Sequence, residues 1–193
     1  MLPTGAGNDR RCRISLKQYT ELREGVTDFI YPADFLKETR QVALFPGSFN
    51  PIHDAHREVF RLASEYLDSI KVYYEVSINR LGKGSLSYEE MNKILGQFDK
   101  DEVIITNLPL ISEKVEKLNL FSIKPWVILG SDNYERLCLT DVPQDIFCKF
   151  LLIFRDGHRP ANISSNCETL EMDGKYHGIS STRIRQRSNN ESI

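Results

Sequence analysis

Residues 42–56 read VALFPGSFNPIHDAH, and this stretch decides the fold of the chain. Residues 42–45 form a short apolar run, typical of a strand buried in a parallel sheet, and Pro46 and Gly47 end it. Further along, apolar residues recur at helical spacing and form one face of a predicted helix: Val59, Phe60, Ala63 and Leu67. The stretch therefore predicts a strand, a glycine-containing loop and a helix, in that order.

The same alternation continues along the rest of the chain. Four more runs are apolar or β-rich and predict strands: 70–76, 102–106, 126–130 and 149–154. Helical patterns lie between them, at 87–98, where Ser87 and Glu90 form a predicted capping box, and at 112–120. Strands that alternate with helices about every 25 residues indicate an α/β fold, here a Rossmann-like, doubly wound parallel sheet of about five strands with helices on both faces. Ligands of such sheets lie beyond the carboxyl ends of the strands, which makes the loops after Phe45, Val76 and Leu129 candidate sites.

The bulk composition bounds the class of function. The chain has 193 residues, of which 40% are hydrophobic and 27% are charged, as in a globular protein with one good core. Its formal net charge is -2, so the surplus of Lys and Arg that long nucleic acid requires is missing. The composition argues against long nucleic acid as a partner, but it allows a local pocket for a small phosphorylated ligand.

The cysteines and the lengths of the apolar runs indicate the compartment. Four cysteines occur without a C-x-x-C pair, and a reduced intracellular chain is the simplest interpretation, although a disulfide stays open. The first residues lack the apolar run of a signal peptide, and no stretch approaches the ~18 apolar residues of a membrane span. We therefore expect a cytoplasmic protein with no membrane partner, and an additional nuclear location stays open.

The loop after the first strand combines a glycine with two histidines. Gly47 lets the backbone approach a phosphate closely, and the start of the following helix offers free N–H groups to an anion. His53 and His56 are three residues apart, so both imidazoles lie on one face at the positive end of that helix, where they can donate hydrogen bonds to phosphoryl oxygens. An isolated H-x-x-H is as often a metal site or a surface accident. The preceding Gly-Ser-Phe-Asn-Pro, directly after a strand, favours the phosphate.

Two further segments carry related chemistry. Residues 180–182 begin a predicted Arg-rich helix, where their hydroxyls and backbone N–H groups can hold phosphate oxygens, and Arg185 adds a charge one turn later. A simple helix cap is the alternative for these hydroxyls. Residues 130–132 end a predicted strand with Gly-Ser-Asp, where the glycine permits close approach of a ligand. A cap by Asp132 is the alternative there.

Together these segments resemble the signatures of one superfamily. Residues 47–56 (GSFNPIHDAH) resemble the first signature of the nucleotidyltransferases with the H-x-G-H motif. Residues 179–185 (ISSTRIR) resemble the I-S-S-T-x-x-R signature, and residues 130–132 resemble the G-x-D of the same superfamily. The segments occur in the expected order, and the resemblance covers residues 41–187. Within the superfamily the sequence is most similar to probable nicotinamide or nicotinate mononucleotide adenylyltransferases.

The resemblance implies a reaction and a set of site residues. AMP would pass from ATP, bound with Mg²⁺, to a small phosphorylated acceptor, nicotinamide or nicotinate mononucleotide, to give NAD or its deamido form and pyrophosphate. Catalysis is assigned to His53, His56 and Arg185. Nucleotide binding is assigned to Gly47, Ser48, Phe49, His53, His56, Gly130, Asp132, Ser180, Ser181, Thr182 and Arg185. The chain is accordingly divided into an N-terminal arm with short helices (1–40), one of which is predicted to begin at Pro32, and a nucleotidyltransferase domain (41–193).

The acceptor is expected in the segment after the second strand. Asn79 and Lys83 lie where adenylyltransferases hold the acceptor, and Lys83, in a glycine-flanked loop, can reach a phosphate as a mobile point charge. A solvated loop lysine is the alternative. Trp126 can stack on a nicotinamide ring, or it can belong to the core.

One residue departs from the superfamily pattern. Ala55 stands where a glycine usually separates the two histidines, and if its methyl group lies against the nucleotide the crowding costs ~1–3 kcal/mol. Two other functions therefore stay open: a sister transferase that uses CTP or another acceptor, and a nucleotide-binding homologue without turnover. Acceptor identity and a homo-oligomeric state also stay open.

Overall fold

The computed structural model describes residues 10–30, 32, 35, 40–80, 82–138, 148–155, 157–176, 178–181 and 184–186. A central sheet contains β1 (Phe29–Ile30), β2 (Gln41–Pro46), β3 (Val72–Ser77), β6 (Val103–Thr106), β7 (Lys124–Gly130), β8 (Lys149–Phe154) and β9 (Cys167–Glu171). A separate hairpin pairs β4 (Asn79–Arg80) with β5 (Gly84–Ser85).

The order of the strands shows where the topological switch point of the sheet lies. The sheet runs β1-β6-β3-β2-β7-β8-β9, and β2 pairs in parallel with β3 on one side and with β7 on the other. The remaining neighbours are also parallel, except that β1 runs antiparallel to β6 at the edge. Successive strands spread to one side of β2 and then switch to the other, so the switch point lies between β2 and β7. The carboxyl ends of these strands are Pro46 and Gly130.

The Rossmann-like α/β fold expected from the sequence is confirmed. The five predicted strands correspond to β2, β3, β6, β7 and β8, which form the interior of the sheet. The expected strand number was too low, because β1 and β9 at the two edges were missed. β1 has only two residues, and β9 is polar and partly exposed, so neither has the apolar run that marks a buried strand.

The main helices are α1 (Leu16–Arg23), α2 (Asp54–Tyr66), α3 (Tyr88–Leu95), α4 (Ile111–Leu120) and α5 (Ser131–Cys138). The predicted capping box of Ser87 with Glu90 begins α3. Residues 181 and 184–186 are helical, within the predicted terminal helix, whereas most of the helix predicted after Pro32 lies outside the described residues. None of the helices in the described part of the chain has the length and the apolar character to cross a membrane.

Both faces of the sheet are covered, so two layers of core surround it. Ala43 and Phe45 of β2 belong to one cluster of buried side chains, and Val42 and Leu44 belong to another, because alternate strand residues point to opposite faces. Buried residues of α2 and α3 complete the first cluster, and those of α4 lie on the second face. The predicted placement of helices on both faces is therefore confirmed.

The segment before residue 40 takes part in this packing. Leu22 of α1 is fully buried in the same cluster as Ala43, and Phe29 of β1 pairs with Thr106 of β6. The arm thus contributes side chains and a strand to the fold, while the division of the chain at residue 40 stays a prediction.

Candidate active site

The loop after β2 turns over a buried phenylalanine ring. Phe49 has a positive φ of 41°, and its side chain is only 1% exposed. A Cβ atom on Gly47 would lie 2.5–2.9 Å from three carbon atoms of this ring, so the position requires glycine. The ring packs against Phe45, Tyr74 and Phe98 in the core. The Phe49 side chain therefore packs between the loop and the core, and only the backbone of Phe49 can face a nucleotide.

Two stacked imidazoles begin α2. His53 is the N-cap residue, and its carbonyl oxygen accepts a hydrogen bond from the N–H of His56 at 2.9 Å. The two ring centroids lie 3.6 Å apart with 20° between the ring planes, so the rings share one face as their spacing predicted. Both Nδ1 atoms are buried and have no hydrogen-bond partner among the described residues. Unmet ring nitrogens at the positive end of a helix fit an anionic ligand.

The environment keeps both imidazoles neutral. Burial is the main cause that lowers the pKa of His56 from 6.5 to about 3, and a positive charge on this ring would also be repelled by Arg155 and by a proton on His53. Burial also lowers the pKa of His53, again with a contribution from Arg155. On its other side the His56 ring meets the Phe49 ring at 5.0 Å between centroids. Each neutral ring keeps one N–H donor, so the pair can donate to phosphoryl oxygens without carrying a charge of its own.

The cation beside the histidines, Arg155, was not predicted as a site residue. It follows β8 directly, and its guanidinium donates a hydrogen bond to the carboxylate of Asp132 at 3.0 Å. Asp132 in turn lies over Gly130, where a Cβ atom would come within 2.7 Å of its Oδ1. The only signal in the sequence was the position of Arg155 at the carboxyl end of a predicted strand, where ligands of such sheets bind.

The second motif lies directly against the first. The hydroxyl of Ser181 donates to the carbonyl oxygen of Pro51 at 2.9 Å, and the guanidinium of Arg185 donates to the carbonyl oxygen of Asn50. These partners are 130 and 135 residues apart in the sequence. Ser180 is partly buried next to them, and Thr182 lies outside the described residues. The structure thus brings the two signatures together at the loop between β2 and α2.

A cavity of about 520 Å³ adjoins this loop. Gly47 and Ser48 line it on the side of the first motif, and Asn79 and Lys83 line it from the β4–β5 hairpin. The hydroxyl of Ser85 donates to the side-chain oxygen of Asn79 at 2.7 Å, which fixes the orientation of this amide. The predicted phosphate loop and two of the three predicted acceptor residues therefore face one cavity.

An ion pair that was not predicted lines the same cavity. The ammonium of Lys114 on α4 donates to Oε2 of Glu75 on β3 at 2.7 Å, and their side chains are 5% and 1% exposed. Burial raises the pKa of Glu75, and the charge of Lys114 opposes that rise. An oppositely charged group in hydrogen-bond contact favours the ionised carboxylate.

Trp126, the third predicted acceptor residue, is not brought to the cavity. It pairs with Ala43 near the start of β7, four residues before Gly130, a separation of ~13 Å along a strand. Its ring is 7% exposed and lies 4.8 Å from the ammonium of Lys149. Trp126 is a core residue in this structure, which is the second of the two positions that the sequence left open, and its stacking on nicotinamide stays a prediction that this position does not support.

Ala55 also faces the core. It is 2% exposed and lies in the same buried cluster as Val59 and Ala63, which follow it at helical spacing on α2. Its methyl group packs against the interior, so its position does not support the expected crowding of a nucleotide.

Comparison with known proteins begins at the level of families. A sequence model of the family described as "Cytidylyltransferase-like" matches residues 44–187. The match begins in β2 and extends past Arg185, so it includes both motifs and the strands that carry them.

Two curated relatives carry the name phosphopantetheine adenylyltransferase. The protein from Clostridium novyi (strain NT) is 27% identical over 155 residues, which are 76% of this chain and 82% of that protein. The protein from Clostridium tetani is 37% identical over 60 residues, which are 31% of this chain and only 36% of that protein.

Solved structures show the same fold. The nicotinic acid mononucleotide adenylyltransferase of Plasmodium falciparum complexed with APC is similar with a TM-score of 0.53 and 18% sequence identity. The similarity covers 76% of this chain and 82% of that one. At this identity it concerns the fold alone.

Proposed function

Because the chain belongs to the cytidylyltransferase-like family of nucleotidyltransferases, we propose that it transfers AMP from ATP to a small phosphorylated acceptor. One observation carries the proposal: Ser181 of the second motif is hydrogen-bonded to Pro51 of the first, next to the stacked rings of His53 and His56. Two helix starts that meet in this way can share one triphosphate. Relatives that are named adenylyltransferases support ATP as the donor.

The proposed reaction is a single in-line displacement. An oxygen of the acceptor phosphate attacks the α-phosphorus of ATP, and a new phosphoanhydride bond forms. The bond from the α-phosphorus to the bridging oxygen breaks, and pyrophosphate leaves with its electron pair. The enzyme forms no covalent bond, so positioning and charge stabilisation supply the catalysis. His53 and His56 would donate from neutral rings to the α-phosphate oxygens.

The leaving pyrophosphate is assigned to the second motif. The hydroxyl of Ser181 and the guanidinium of Arg185 lie at the loop edge, where they would exchange loop carbonyls for phosphate oxygens. Arg155 adds positive charge beside the two histidines. Asp132, which pairs with Arg155, is assigned to the hydroxyls of the nucleoside.

Mg²⁺ is proposed to enter with the ATP. Magnesium prefers phosphate oxygens and water to a cage of protein ligands when it accompanies a nucleotide. In the described ranges, no group of three or more His, Cys, Asp or Glu side chains could hold a metal ion, so the donor set fits an ion carried by the triphosphate. When bound, the ion neutralises charge on the phosphates.

The acceptor is proposed to be nicotinamide or nicotinate mononucleotide, which would give NAD or its deamido form. The cavity of about 520 Å³ lies within the range of ~300–1,000 Å³ that is typical of small-molecule sites. Arg80 and Lys83 line it and can neutralise the acceptor phosphate. Phosphopantetheine is the second candidate, because the Clostridium novyi relative carries the name of that activity.

Pyrophosphate release tests the proposal directly. Purified protein is incubated with ATP, Mg²⁺ and one acceptor at a time: nicotinamide mononucleotide, nicotinate mononucleotide or phosphopantetheine. We expect release that depends on an acceptor, with one of the mononucleotides preferred. Parallel reactions with CTP identify a cytidylyltransferase. Binding of ATP in a calorimeter without release for any acceptor would contradict the proposal and identify a nucleotide-binding homologue.

A further inference from the structure

The Glu75–Lys114 pair leaves one hydrogen-bonding position unused. Oε2 of Glu75 accepts from Lys114, but Oε1 is buried and has no hydrogen-bond partner among the residues that the structure describes. A buried oxygen without a donor is costly, and native proteins leave few of them. Here the residue that carries it lines the cavity of the acceptor. An unmet acceptor atom on a residue that lines a cavity points to a ligand that brings a donor.

The proposed transfer of AMP does not require the Glu75–Lys114 pair. The proposed displacement uses the histidines at the start of α2 and the cations near the second motif. Glu75 lies on β3 next to Pro46 of β2, Lys114 lies on α4, and both line the cavity. The positive charge of Lys114 is already compensated by Glu75, whereas Arg80 and Lys83 remain as cations for a phosphate.

We propose that the Glu75–Lys114 pair selects the acceptor by its head group, accepting a carboxamide and rejecting the corresponding carboxylic acid. This inference rests on the proposed function, because it concerns the acceptor of the same transfer. Of the two candidate acceptors, it makes nicotinamide mononucleotide the substrate rather than nicotinate mononucleotide.

The discrimination follows from hydrogen bonding and charge. The N–H of a carboxamide donates to Oε1 of Glu75, and the carbonyl oxygen beside it can accept from the ammonium of Lys114. A carboxylate at the same place has no donor and sets a second negative charge next to Glu75. Because the site is buried, this repulsion is poorly screened, and the acid is rejected by charge as well as by the missing donor.

Binding measurements without ATP test the selection independently of turnover. Calorimetry with nicotinamide mononucleotide and with nicotinate mononucleotide gives the ratio of the two dissociation constants. We expect the wild-type protein to favour the amide by about tenfold or more. Glu75→Gln keeps the size of the side chain but removes the charge and adds a donor, so the ratio should fall by about tenfold. Glu116→Gln on the exposed face of α4 makes the same change in net charge and should leave the ratio unaltered.

The double variant Glu75→Leu with Lys114→Met guards against a folding defect, because replacement of a buried ion pair by apolar residues is often tolerated. It should lose the preference as Glu75→Gln does. Three results would overturn the inference. The wild type could bind the two mononucleotides equally, it could bind neither of them, or both variants could keep the wild-type ratio of dissociation constants. Turnover separates the two proposals: acceptor-dependent pyrophosphate release with equal binding leaves the proposed function standing. If the protein prefers the amide in binding but releases no pyrophosphate with any acceptor, the transfer of AMP is rejected and the selection of the carboxamide is supported.

Discussion

The hydroxyl of Ser181 donates a hydrogen bond to the carbonyl oxygen of Pro51 across 2.9 Å. Ser181 begins the helical segment near the end of the described chain, and Pro51 lies in the loop that leads into α2. This contact joins two segments that are 130 residues apart and places the hydroxyls of one motif beside the imidazoles of the other. The proposed site for one triphosphate depends on this contact.

His56→Ala tests the role of the imidazole pair. Loss of a preorganised donor to the transferring phosphoryl group should lower kcat by about two decades. Steady-state pyrophosphate release gives kcat, and circular dichroism verifies the fold. His158→Ala removes a partly exposed imidazole that pairs with Glu135 and has no assigned role, so its kcat should stay unchanged. An unaltered kcat in His56→Ala would remove this ring from the mechanism.

The lowered pKa of His56 predicts a loss of stability in acid. The folded protein keeps this ring neutral down to about pH 3, whereas the unfolded chain binds a proton below 6.5. The free energy of unfolding should therefore rise with pH between these values, with no contribution from this group above 6.5. Between pH 7 and pH 5 the His56 term amounts to at most about 2 kcal/mol.

Urea unfolding at pH 7 and pH 5 measures this effect. His56→Ala lacks the titrating ring, so its stability should fall less than that of the wild type over the same interval. An equal fall in the two proteins would show that His56 titrates normally.

Gly47→Ala should destabilise the protein through the Phe49 ring. The new methyl group would lie 2.5–2.9 Å from ring atoms, and the ring is enclosed by the core and cannot swing away. Overpacking of this kind costs about 1–3 kcal/mol in the free energy of unfolding, measured with denaturant. The same substitution in a Phe49→Leu background should cost less, because the smaller side chain leaves space for the methyl group. Identical costs in both backgrounds would argue against the clash.

Arg155→Gln should weaken the binding of ATP. Removal of this cation leaves Asp132 without its ion pair and takes positive charge away from the phosphate site, so we expect KM for ATP to rise about tenfold. Arg159→Gln removes an equal charge from a side chain that is 61% exposed and pairs with Glu171, and its KM should not change. Equal effects of the two substitutions would indicate long-range charge rather than contact.

Ala55→Gly tests the direction of the methyl group on α2. If it packs in the core, the variant loses about 1 kcal/mol of stability and binds ATP as the wild type does. Ala63→Gly, on the same buried face farther along α2, provides the matched control and should lose a similar amount. A gain in ATP affinity for Ala55→Gly alone would show that this methyl group meets the nucleotide.

The sequence by itself determined the class of fold and the two motifs. The apolar runs of the five interior strands and the capping box of Ser87 are local patterns, and each occurs where it was predicted. The spacing of His53 and His56 likewise determined that their rings share one face, because helical geometry sets it within a single turn. The edge strands were missed because two-residue or polar strands have no such local pattern.

The tertiary structure decided which side chains meet. Local spacing does not reveal that Glu75 and Lys114, 39 residues apart, form an ion pair that lines the cavity next to the loop after β2, or that Arg155 pairs with Asp132. Local spacing also left open whether Trp126 and Ala55 face a ligand or the core, and both lie in the core. Contacts of this kind depend on the register of the strands and on the packing of helices against them, which involve distant parts of the chain at once. A motif therefore identifies a site, while the folded chain determines its partners.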